Sequence, residues 1–115
     1  RPKPVLLPAA GARPHGATTI FADAAAIPDR TLSASIVRIA AGEQVAEHVH
    51  AGEAELWYVL AGAGTLTVAG VALPVTATSV VQIPRNTRHA FVATSEVRAV
   101  QIFTPAGPEP RKAHP

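Results

Sequence analysis

The chain has 115 residues, 48% of them apolar, a formal net charge of +2 and no cysteine. That length makes one domain able to bury about two-thirds of its unfolded surface, and the missing thiols exclude disulfides, thiolate metal sites and a cysteine nucleophile. No apolar run approaches the roughly 18 residues of a membrane span, and residues 31–104 carry four arginines against five glutamates, without the basic stripe that nucleic acid requires. Neither membrane nor nucleic acid is an expected partner. The chain opens on Arg1 rather than methionine, which suits a removed signal peptide or a start trimmed upstream equally well. The compartment stays open, with the cytoplasm slightly favoured over export.

Five of the eleven prolines fall in residues 1–30 and four in residues 105–115. Proline fixes φ and removes a ladder donor, so both ends are expected as extended, proline-rich arms. Residues 1–30 form an N-terminal arm with a lead-in strand, and 105–115 a C-terminal tail. Only FADAAAI (21–27) offers a helical turn. From residue 31 the chain reads as TLSASIVRIA (31–40), EHVH (47–50), ELWYVLA (55–61), GTLTVAG (64–70), VALPV (71–75), TSVVQIP (78–84), HAFVA (89–93) and VRAVQIF (97–103). These segments are short, β-branched and mostly bounded by Gly, Pro or Asn, the marks of strands. About eight strands at this spacing predict an all-β sandwich or barrel over residues 31–104. A hairpin turns at Ala69–Gly70. Pro84 and Asn86 make a second turn, which throws His89 onto the start of the next strand.

The chemistry concentrates in AGEQVAEHVHAGEAELWYVLAG (41–62). Residues two apart project from one face of a strand, so His48 and His50 can converge on one ion at about 2.1 Å. An antiparallel strand beside them sets Glu55 opposite, and His89 supplies a fourth donor from a more distant strand. Three imidazoles and a carboxylate among apolar side chains suit one divalent transition metal: Fe, Mn, Ni, Cu or Zn. Glu55 has two further readings, as a partner that orients a histidine or as a general base. Trp57 and Phe91 are candidate pocket residues, set against plain core packing. Arg85 and Arg88 flank the turn before His89; they could grip an anionic substrate or serve as solvated loop charges. Ile102 and Phe103 read as core.

These spacings resemble the cupin superfamily. Its first motif, Gly-x5-His-x-His-x3–4-Glu-x6-Gly, is met at every position by Gly42, His48, His50, Glu55 and Gly62. In its second, Gly-x5-Pro-x-Gly-x2-His-x3-Asn, Pro84 and His89 match. Thr78, Asn86 and Ala93 stand where the motif has Gly, Gly and Asn. The resemblance implies a double-stranded β-helix, or jelly-roll, barrel of the small single-domain kind, with a quercetin-dioxygenase-like metal site. It also implies a small-molecule substrate and a homodimer paired through edge strands and the arm at residues 1–14. The activity it points to is that of a metal-dependent oxidoreductase, an oxygenase or dioxygenase acting on a chelating phenolic, polyketide-like or enolisable substrate. Two other readings stand beside it, because fold does not choose chemistry. One is a non-redox isomerase, lyase or decarboxylase of a small keto or hydroxy acid; the other is a non-catalytic metal- or ligand-binding cupin.

Overall fold

The computed structural model describes residues 31–107 together with the strands Arg13–His15 and Thr18–Ala22. Its elements, in chain order, are β1 (Arg13–His15), β2 (Thr18–Ala22), β3 (Ser33–Ile39), β4 (Gln44–His48), β5 (Ala54–Ala61), β6 (Ala63–Val68), β7 (Val71–Thr76), β8 (Val80–Ile83), β9 (His89–Ala93) and β10 (Val97–Thr104). All pairings are antiparallel. One sheet runs β1-β2-β3-β10-β5-β8 and the other β4-β9-β6-β7. Among the described residues no helix is long and apolar enough to cross a membrane.

Period-2 alternation explains which face each strand buries. β3 turns Ser33, Ser35, Val37 and Ile39 inward, β10 turns Val97, Ala99, Gln101 and Phe103 inward, and β5 does the same with Glu55, Trp57 and Val59. Leu66, Val75, Phe91 and Ala93 of the four-stranded sheet close over them, forming one core cluster. Phe103 is fully buried, as expected, but Ile102 is only half-buried on the outer face because the alternation admits one of the two.

The eight expected strands are present with shifted ends. The hairpin at Ala69–Gly70 has φ of 49° and 82° at its two central residues, the signs a type I′ turn needs. Where β5 leaves one sheet and β6 enters the other, Gly62 has φ 93°, and a Cβ there would lie 2.0 Å from the Glu96 carbonyl oxygen. Only glycine fits that crossing. The proposed helical turn lies mostly outside the described residues, its first two positions closing β2 instead. The arms at 1–12 and 108–115 lie outside them as well.

Two expectations are corrected. The EHVH strand begins earlier and stops at His48, leaving His50 in the loop that follows. And β4 and β5 are not neighbours: they belong to different sheets. Glu55 therefore faces the histidines across the sandwich rather than from beside them. His89 is the lateral neighbour, directly opposite His48 in the β4–β9 ladder.

Candidate metal centre

His48 ends β4 and His89 begins β9, and their rings lie 4.1 Å apart between centroids. The ladder pairs Val45 with Phe91 but His48 with His89, so β4 carries one extra residue between them. Residues three apart in a regular strand point to opposite faces. The bulge cancels that: Val45 packs on the core, and His48 also turns inward, toward the other two imidazoles. Re-aiming a side chain in this way is a common use of a bulge. The His48 Nδ1–H donates to the Ala46 carbonyl within the bulge at 2.8 Å, and His89 repeats the contact, donating from Nδ1 to the Thr87 carbonyl at 2.9 Å. A carbonyl only accepts, so Nδ1 holds a proton in both rings and Nε2 is the nitrogen turned toward the cluster. Such an outer contact is the usual way a ligating imidazole is oriented.

His50 reaches the same point from the loop. The Asn86 backbone N–H donates to the His50 carbonyl at 2.7 Å, tying this loop to the turn before β9. Phe103 packs edge-on against the His50 ring, with centroids 5.2 Å apart. The ligand atoms of His48, His50 and His89 all lie within 4.8 Å of one another, a group that could hold a metal ion. Glu55 Oε1 comes from the opposite sheet to 3.5 Å from His50 Nε2 and 3.2 Å from His89 Nε2. All four of these atoms are shielded from solvent. Imidazole nitrogens and a carboxylate oxygen aimed at one buried point are the donor set of a borderline divalent cation. A divalent ion takes such donors at about 2.1 Å, and these ligand atoms already lie close together and buried. The residues fit the group.

The other carboxylate oxygen is spent elsewhere. Glu55 Oε2 accepts from Trp57 Nε1–H at 2.6 Å and from Gln101 Nε2–H at 2.5 Å. Trp57 is buried and meets Phe91 in a T-shaped contact at 5.3 Å, both within the core cluster. Arg85 and Arg88 are exposed on the turn. Arg88 lies 3.9 Å from Glu47, a solvent-facing pair of the kind that contributes little. Gln101 and Ser35 escaped the sequence reading. Their signal was a polar residue at an inward position of an otherwise apolar alternation.

Comparison with known proteins agrees with this architecture. The family model for the cupin domain matches residues 35–105, well over half of the chain, and the chain belongs to the cupin family. It is 35% identical over 75 residues to Protein SchB of Streptomyces halstedii, covering 64% of this chain and 54% of that protein. It is 33% identical over 75 residues to Polyketide synthase CurC of Streptomyces cyaneus, covering 64% and 49%. The chain thus spans about half the length of the curated relatives it matches. Among solved structures, Streptomyces PAC13 with uridine superposes with a TM-score of 0.74 at 21% identity, covering 91% of this chain and 84% of that one. That likeness establishes the cupin fold alone.

Proposed function

We propose that this cupin is a metal-dependent oxygenase acting on a chelating, polyketide-like phenolic or enolisable substrate. The observation that carries the metal is the convergence of three imidazoles and Glu55 Oε1 on one buried point. His48, His50 and His89 through Nε2, and Glu55 through Oε1, would hold the ion. A divalent transition metal there supplies Lewis-acid and, for iron, copper or manganese, dioxygen chemistry. The chain's own residues do the rest. His48 and His89 keep their protons on Nδ1, held by the Ala46 and Thr87 carbonyls. Phe103 packs edge-on against the His50 ring, and Trp57, packed against Phe91, holds Glu55 by its indole N–H. An apolar barrel lining favours an aromatic substrate over a free sugar, which needs more polar partners. The substrate class takes its support from CurC, whose name places it in polyketide synthesis.

The test is oxygen uptake by the full chain, loaded with iron(II), copper(II) or manganese(II), over a panel of catechols, 1,3-diketones and aromatic polyketides. Uptake in step with substrate loss, abolished by His50→Ala, is the expected result. Turnover that proceeds equally without oxygen would replace this reading with the isomerase or lyase one, and metal binding without any turnover with the binding-module one.

A further inference from the structure

Ser35, Gln101 and Trp57 stand in one row across three adjacent strands. Gln101 of β10 is the register partner of Ser35 on β3 and of Trp57 on β5. All three are buried, Ser35 and Gln101 completely. The Ser35 hydroxyl donates to Gln101 Oε1 at 3.2 Å, which turns the glutamine's NH2 toward Glu55. The indole of Trp57 is a donor with no acceptor capacity. Both groups meeting Glu55 Oε2 are therefore donors, and both are held by the rigid ladder of the six-stranded sheet. The carboxylate cannot rotate without breaking two buried hydrogen bonds.

We propose that Gln101 and Trp57 are positioning residues that clamp Glu55 by Oε2 and so make it a one-oxygen donor, with Oε1 delivered to the histidine cluster. This rests on the metal centre proposed above and deepens it. It also assigns Trp57 a use other than substrate contact: the indole N–H is committed to Glu55. As the protein's only tryptophan, Trp57 reports the site directly, because its donor touches a carboxylate that also faces the ion.

The experiment uses cobalt(II) as the probe, with the full chain followed by calorimetry, visible absorption and Trp57 fluorescence. Gln101→Leu is expected to weaken cobalt binding roughly 10- to 100-fold, the usual effect of removing a group that orients a metal ligand, and to change the cobalt absorption spectrum. Trp57→Phe keeps most of the packing against Phe91 and removes the other donor; the same two changes are expected, and this variant decides the matter if Gln101→Leu fails to fold. Val75→Ala, a core truncation on β7, controls for simple destabilisation and should leave the spectrum unaltered. Wild-type affinity and spectrum in a folded Gln101→Leu or Trp57→Phe protein would overturn the clamp while leaving the metal centre standing. A wild-type chain that binds no cobalt, or a His48→Ala variant that binds it equally well, would overturn the centre itself and the clamp with it.

Discussion

Residues with positive φ record how this chain departs from its family's motif. The second motif has glycine at two positions, occupied here by Thr78 and Asn86, and these residues adopt φ of 71° and 60°. The backbone has kept a glycine conformation without the glycine. Asparagine tolerates that region, but a β-branched threonine is strained there. Thr78 is held in place by its N–H to the Val59 carbonyl at 2.8 Å. Thr78→Gly is expected to raise stability by about 1 kcal/mol, the relief of strain exceeding the entropy glycine adds to the unfolded chain. Thermal melting should then rise by roughly 4 °C. Asn86→Gly should change it by less than half as much. Glu55→Ala bears on the centre: it removes one of four donors and strands the Gln101 and Trp57 N–H groups in the core. Cobalt affinity should fall at least tenfold, and stability by about 1–3 kcal/mol in urea unfolding.

At the scale of elements, the bulge in β4 and the crossing at Gly62 do the positioning. Deleting Ala46 restores a regular β4–β9 ladder in which Val45 and His48, now two apart, still share the inner face, but it removes the carbonyl that holds His48 Nδ1. The expected outcome is a folded protein that still binds cobalt(II) but roughly 10- to 100-fold more weakly, read by titration calorimetry, because the imidazole has lost the contact that orients it. Gly62→Ala sets a Cβ against the Glu96 backbone oxygen at a φ that alanine disfavours. It should cost at least about 3 kcal/mol, a large part of the stability of an ordinary domain. Little of this was legible in advance. His-x-His in a continuous strand was the simplest account of His48 and His50 sharing a face. The structure reaches the same convergence differently, with a bulge before His48 and a loop after it. A bulge depends on what the partner strand offers, and period-2 reading of one strand cannot see its partner.

At the scale of the molecule, the candidate centre joins the two sheets. His48 and His89 belong to the four-stranded sheet and Glu55 to the six-stranded one. An ion held by all of them is a cross-link through the core, so its binding energy adds to folding stability. Cobalt(II) at about 100 times its dissociation constant should add roughly 2.7 kcal/mol and raise the melting temperature by roughly 10 °C. A chelator should reverse the shift in scanning calorimetry, and His50→Ala should abolish it. The same placement gives the Gln101 row its leverage, since Glu55 is clamped from within its own sheet while its other oxygen meets residues of the facing one.

The sequence by itself determined the strand character of residues 31–104, the turns at Ala69–Gly70 and Pro84–Asn86, and the identities of the three histidines and the glutamate. Each is written in local chemistry: alternation, β-branching, φ preference, and side chains bearing lone pairs at short spacing. Only the tertiary structure decided that β5 lies across from β4 rather than beside it, that His89 stands opposite His48, and that Gln101 belongs to the centre. Those facts come from pairings between strands far apart in the chain, such as β3 with β10. Such pairings are selected by burying both sheets' apolar faces at once, a collective condition that no single segment encodes.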